Sequence, residues 1–327
     1  ALGNNELTYE KKHEFNFGVD AGFFNNRLNV TFDVYQRRNF DEIAPTVTQL
    51  YGTVYANVGS MKSWGEELSI SSTNIKTQDF SWQTSLIYSH NRTEITDLYN
   101  QGRVIDLVQG NGFAKQGYPA RALFSIPFVG INEKGYPVCI NEKGQATVGN
   151  LNFQERDNTD YLIYEGSTDP VYNGSLGNTF NYKGFHLNVF LTYAFGNVVR
   201  LDPAFSAKYN DLTSMTHDFK NRWMQPGDEN VTNVPGVVSR YEYEQNSTLL
   251  ATAYNAYNYT SVRTAKGDFI RLKEISLASL KVIRSVPSSS IVAAHSMSLY
   301  SSLFSPRFPP PILNDRVPSE KTVSRSE

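Results

Sequence analysis

What this chain lacks narrows its class before any motif is read. A single cysteine, Cys139, in 327 residues permits no internal disulfide and no cysteine-based zinc site. Charge is scarce as well, at 19 % of residues against about 25 % in an average soluble domain. The 30 Lys+Arg and 32 Asp+Glu nearly cancel, leaving a net charge of −2, so no basic field exists of the kind that draws nucleic acid. Long apolar runs are missing too. The best one, Val189-Phe190-Leu191-Thr192-Tyr193-Ala194-Phe195, is short and broken by Thr192, whereas a spanning helix needs about 18 or more apolar residues in a row. That excludes a helical membrane protein and leaves membrane strands open, since these need only about 9–11 residues with alternate ones apolar. A mean hydropathy of −0.42 suits such strands and a soluble sheet alike.

Chemical motifs are equally sparse. The five histidines, His13, His90, His186, His217 and His295, stand apart with no carboxylate or second histidine at metal-ligand spacing. No nucleophile elbow, phosphate-cradling glycine loop or His-Glu-x-x-His pattern occurs. The pairs Asp41-Glu42 and Asp228-Glu229 read as solvated loop charge, and the sequons Asn29-Val30-Thr31 and Asn91-Arg92-Thr93 fall inside predicted strands. No enzyme and no cofactor is therefore expected.

What is abundant is aromatic: 20 Tyr and 20 Phe, 13 % of the chain with Trp, a strand-forming composition. From His13 to Phe24 the apolar residues Phe15, Phe17, Val19, Ala21 and Phe23 hold the odd positions. Beyond Asn25-Asn26 they move to the even ones, Leu28, Val30, Phe32 and Val34. Period-two alternation on both sides of a turn signal makes a long hairpin. The design recurs around Lys183-Gly184, with Leu176, Phe180 and Tyr182 before it and Phe185 to Phe195 after it, and more weakly around Thr77-Gln78-Asp79. The segments between hairpins are long: Asn39 to Ser60, Glu94 to Asp169 and Asn197 to Lys266.

Alternation alone also describes a half-buried sheet in a soluble protein, so a soluble or surface β-sheet module that binds carbohydrate is the competing reading. Strand length decides between them. The strands here run to about 10–14 residues where soluble ones average about 5–6, and tight turns at one end with long loops at the other match an outer-membrane barrel. The expected fold is all-β, an incomplete antiparallel transmembrane β-barrel of about ten strands with long extracellular loops and short periplasmic turns. Phe15, Phe17, Val19, Leu28, Val30 and Phe32 are expected to face outer-membrane lipid.

Two further features complete the reading. Asn132-Glu133-Lys134-Gly135 and Asn141-Glu142-Lys143-Gly144 repeat one turn, type I with a glycine bulge, and predict a small meander on a loop. The loop aromatics Tyr51, Tyr55, Trp223, Tyr241, Tyr243, Tyr254, Tyr257 and Tyr259 offer flat apolar faces with polar tips, suited both to sugar or protein contact and to loop packing.

Several stretches resemble the SusC-like branch of TonB-dependent outer-membrane transporters. They are Asn5-Glu6-Leu7-Thr8-Tyr9-Glu10 with Asn16-Phe17-Gly18-Val19-Asp20 and Asn26-Arg27-Leu28, and Asn57-Val58-Gly59-Ser60 before Trp64-Gly65-Glu66-Glu67. Gly166-Ser167-Thr168-Asp169-Pro170-Val171-Tyr172 with Tyr182-Lys183-Gly184-Phe185 is the most specific. Arg222-Trp223 with Pro226-Gly227-Asp228-Glu229, and Gly267-Asp268-Phe269-Ile270-Arg271-Leu272-Lys273, extend the resemblance to Leu277. The resemblance implies location in the cell outer membrane, import of oligosaccharide or peptide, a SusD-like surface lipoprotein partner, and energy from the TonB complex acting through a plug.

Nothing in this sequence matches the family's plug or its first barrel strands, and the end departs as well. From Ala278 on, glycine vanishes, Ser and Pro dominate, and the last residue is Glu327, where the family ends on an aromatic. The expectation is a partial barrel over residues 1–277 and a foreign, Ser/Pro-rich, disordered or frameshifted tail over 278–327, in a chain that by itself does not assemble into a transporter.

Overall fold

A computed structural model describes residues 7–48, 52–99, 101–109, 115–209, 215–283 and 291–299. Four strands come first: β1 (Lys11–Phe23), β2 (Leu28–Thr48), β3 (Gly52–Lys76) and β4 (Phe80–Leu98). A helix α1 (Val104–Gln109) follows, then the short strands β5 (Ala122–Ser125), β6 (Phe128–Ile131), β7 (Pro137–Ile140), β8 (Ala146–Thr147) and β9 (Ile163–Ser167). Next are the long strands β10 (Tyr172–Tyr182) and β11 (Phe185–Phe195), short β12 (Val198–Arg200), helices α2 (Arg240–Gln245) and α3 (Ser247–Asn258), and strands β13 (Thr264–Lys266), β14 (Phe269–Ile283) and β15 (Ile291–Leu299).

Eight of these strands form one antiparallel sheet in the order β1-β2-β3-β4-β10-β11-β14-β15. It is an open wall rather than a closed barrel. Among the described residues the wall has eight strands, and the short strands lie in the segments between the hairpins. β14 runs past Leu277 to Ile283 and pairs with β15, so the residue 277 boundary falls inside a strand.

Register carries the sequence alternation across the whole wall. One row reads Val19, Phe32, Leu68, Tyr88, Gly174, Tyr193, Ile270, and the next Ala21, Val30, Ile70, Leu86, Leu176, Leu191, Leu272. Residues directly opposite in an antiparallel ladder share a face, so these rows make one apolar surface. The six residues expected to meet lipid all lie on it. The other face reads Asp20, Thr31, Ser69, Ile87, Ser175, Thr192, Arg271. Aromatic side chains border the apolar rows at both ends. Trp82 stacks on Phe180 toward the turns, and Tyr193 on Phe195 and His90 on Tyr172 toward the loops.

Turns Phe24–Arg27, Thr77–Asp79 and Lys183–Gly184 close the hairpins at one rim. Phe24, Asn25 and Asn26 all take positive φ (55°, 55° and 60°), the left-handed conformation that asparagine tolerates best among non-glycine residues. The expected loop from Asn39 to Ser60 is corrected. β2 and β3 stay paired from Glu42–Gly59 out to Thr48–Gly52, after register shifts between Asn39 and Glu42 and between Glu42 and Ile43. The β-branched run Thr46-Val47-Thr48 and Thr53-Val54 favours an extended ribbon over a loop.

The two remaining long segments fold together into a cap at the rim opposite the turns. Its larger core joins Val104, Leu107 and Val108 of α1 to Ala122, Phe124, Ile126, Cys139, Leu162 and Ala256. A smaller one packs Ala207 and Val238 on Leu250, Ala253 and Tyr254 of α3. The cap sits over the polar face of the wall: Ile95 donates its N–H to Tyr118 O at 2.9 Å, and Ala120 N–H reaches Thr93 Oγ1 at 3.2 Å.

Candidate ligand-facing cap

Both expected Asn-Glu-Lys-Gly turns form and build the predicted meander β6-β7-β8. Asn132 Oδ1 accepts from Lys134 N and Tyr136 N, and Asn141 Oδ1 from Lys143 N and Gln145 N, all near 3.0 Å. Gly135 and Gly144 close them at φ +79° and +74°.

A half-buried arginine ties the two long segments together. Arg200, at the end of β12, donates to Thr260 O at 2.8 Å, to Phe124 O at 2.6 Å and to Val108 O at 3.2 Å. Burial pulls its basicity down to about 10, opposed in part by Glu165. A guanidinium suits this place because its fork of donors meets several carbonyls at once. Nearby, Asp106 accepts two side-chain bonds and one backbone bond from Arg103 at 2.8–3.0 Å. Burial raises the Asp106 pKa, and these bonds outweigh that and hold it below its usual range.

The loop aromatics divide into three groups. Tyr254 and Tyr257, named as candidate loop contacts with packing as the alternative, are 1 % and 2 % accessible, which corrects the contact reading to the packing one. They lie on α3, where Leu250, Ala253, Tyr254 and Tyr257 repeat at helical spacing and turn one face inward. Burying side chains of this size contributes about 1.5–3 kcal/mol each, and the Tyr254 hydroxyl finds a partner in Gly236 O. Trp223 is half-buried against Gly135 and Gly236, its Nε1 donating to Glu229 Oε2 at 3.0 Å. The same Glu229 carboxylate accepts from Gly227 N, and Asp228 from Met224 N and Gln225 N. The Arg222-Trp223…Asp228-Glu229 stretch is thus a self-capped turn.

Tyr55 and Tyr241 are outward, 64 % and 73 % exposed. Tyr243 and Tyr259 are half-buried, and with Tyr254 they line a cleft of about 360 Å³ together with Pro203, Phe205, Ser206, Ala207, Ala251, Asn255 and Asn258. Tyr51 lies outside the described residues. Asn255 and Ser206, polar groups at this cleft, have no sequence signal of their own. Helix α3 does, in its i, i+3, i+4, i+7 apolar positions, and so does α2 in its Ser239-x-x-Glu242 box, where Ser239 Oγ accepts from Glu242 N at 3.2 Å. Among the described residues no three His, Cys, Asp or Glu side chains gather as metal ligands, and no helix is long and apolar enough to cross a membrane.

A two-faced antiparallel wall with short turns at one rim and a folded cap at the other defines an outer-membrane β-barrel protein. The family model for the β-barrel of TonB-dependent receptors matches residues 1–202, and the chain belongs to that family. It is 25 % identical over 323 residues to TonB-dependent receptor P39 of Formosa agariphila, covering 84 % of this chain and 30 % of that relative. To TonB-dependent receptor SusC of Bacteroides thetaiotaomicron it is 29 % identical over 229 residues, 64 % of this chain and 22 % of SusC. Among solved structures it superposes on the RagAB peptide transporter with a TM-score of 0.66 at 22 % identity, over 91 % of this chain and 33 % of the other. The chain spans about a third or less of the relatives it matches.

Proposed function

We propose that this chain is part of the wall and outer cap of a TonB-dependent transporter that imports oligosaccharides or peptides across the outer membrane and has no chemistry of its own. The apolar face meets lipid, the polar face lines the lumen, and the cap closes the lumen from outside. The observation that carries this reading is the cap. Two long segments, separated by the membrane-length strands β10 and β11, share one hydrophobic core over the polar face. A soluble carbohydrate-binding sheet has no need to leave its apolar face uncovered while folding a lid over its polar one.

The resemblance to SusC-like proteins supports a SusD-like surface lipoprotein as partner and the TonB complex as energy source, the latter acting through a plug. The RagAB structures, described as a peptide transporter, support peptide as readily as glycan cargo. Tyr55, Tyr241 and the Tyr243–Tyr259 cleft are the surfaces proposed to meet cargo or lipoprotein. The test is growth of a strain lacking the gene on oligosaccharides or on peptides as sole nutrient. Loss of growth on one of them, restored by the full gene and not by a copy without residues 197–266, is expected. Undiminished growth on both overturns the reading.

A further inference from the structure

On the apolar face, just above the loop-side aromatic border, the register brings cations together. Arg38 on β2 stands directly opposite Lys62 on β3, and two residues further along β3 Trp64 stands opposite Arg92 on β4. Lys62 and Arg92 are diagonal neighbours on one face, a spacing of about 7–8 Å that long side chains bridge. Arg38 and Arg92 are exposed. Lys62 lies over the Trp64 ring, 5.0 Å from its centre.

The ion pairs of this part of the wall run Lys11–Asp41, Lys12–Glu14 and Arg37–Glu14, and they leave Arg38, Lys62 and Arg92 without one. Two carboxylates share the face. Glu94 is opposite Lys62, and Glu66 is already engaged by His90 and the Tyr88 hydroxyl. The patch therefore holds more positive than negative charge. It sits just beyond the loop-side aromatic border, on the rim that carries the cap, which the outer-membrane reading puts beside the headgroups.

Exposed cations on the outer surface of a barrel have no solvent-side reason to gather at this depth, and charge there carries a cost the nearer it lies to hydrocarbon. A phosphorylated headgroup removes that cost: guanidinium groups pair with phosphate through two parallel bonds, and basic clusters next to a membrane bind anionic headgroups. We propose that Arg38, Lys62 and Arg92 bind the phosphates of a glycolipid of the outer leaflet, with Trp64 packed beside its sugar or first acyl carbons. The site belongs to the outside of the wall and is separate from any cargo path. The inference rests on the outer-membrane reading given above.

The test uses the full-length transporter carrying this segment, folded in detergent, with purified bis-phosphorylated lipid A as probe and native mass spectrometry as readout. Heat-modifiable migration on gels is recorded on the same samples. The wild type is expected to retain lipid A, and Arg38→Ala/Lys62→Ala/Arg92→Ala to lose on the order of tenfold or more in retention. Arg38→Lys/Arg92→Lys should stay within about threefold of wild type, since charge persists without the fork. Lipid A stripped of phosphate should not be retained, and millimolar inorganic phosphate should not displace the intact lipid. Equal retention by the triple alanine variant, equal retention of the stripped lipid, or displacement by free phosphate each overturns the proposal. A wild type that migrates as a folded barrel and retains no lipid overturns it alone, and one that shows no heat-modifiable migration overturns the barrel reading with it.

Discussion

The Trp223 ring lies so close over Gly135 that a β-carbon there has no room, while Gly144, at the same place in the repeated turn, has nothing within 4 Å of the equivalent point. Both glycines have positive φ, so alanine at either costs about 1 kcal/mol of backbone strain. Gly135→Ala must also expel the indole. It is expected to destabilise the meander by about 2–4 kcal/mol and Gly144→Ala by about 1 kcal/mol, read as faster amide hydrogen exchange in β7. Equal effects would show that Trp223 yields freely.

The wall offers a paired test of its two faces. Val19→Arg, in an apolar row, should lower folding free energy in lipid vesicles by about 2–4 kcal/mol. Ser69→Arg, on the polar face, should change it little. Urea titration of folding in vesicles measures both, and a reversed order would place lipid on the other face.

Arg200 fastens α1, β5 and the turn after α3 through three backbone carbonyls. Arg200→Leu removes these donors from carbonyls in a dry place, where Thr260 O keeps a backbone partner, Arg263 N–H, and should cost about 2–4 kcal/mol locally. Arg200→Lys, a single point donor, should recover less than half. Exchange protection of Ile126 N–H and Ser261 N–H, which bridge the two segments, reports the loosening.

Burial pushes the Cys139 thiol up to about 12, so it stays protonated, and a thiol rather than a thiolate, through the neutral and mildly alkaline range. Maleimide labelling of the folded protein should therefore be slow and nearly flat from about pH 7 to 9, where an exposed cysteine reacts faster with each step in pH. Labelling after denaturation should be complete. Fast, pH-dependent labelling of the folded chain would mean that the cap core opens.

The wall was legible because its signal is local. Phe15 to Phe23 and Leu28 to Val34 alternate along the chain, and the turns between strands carry Asn-Asn or Lys-Gly, so hairpins follow from neighbours in sequence. The Asn-Glu-Lys-Gly meander was legible for the same reason. The ribbon from Glu42 to Gly59 was hidden because two register shifts interrupt its alternation. Tyr254 and Tyr257 were misplaced because a helix of 12 residues sat within a stretch taken whole as loop, although its apolar spacing was present. Arg200 carried no signal at all, since its partners are backbone carbonyls far away in the chain, and no residue type announces those.

The shared core of the cap also imposes an order of events. Leu162 precedes β10 and Ala256 follows β11, yet they pack together with Val104, so this core cannot close until both intervening strands have been laid into the wall. Contacts that distant in sequence form late, because the chain between them must first be constrained. In the proposed outer-membrane arrangement, folding thus ends at the rim that carries the cap. A lesion in the cap is expected to leave strand insertion intact and to delay only the final step, yielding a wall that is in place but not yet lidded.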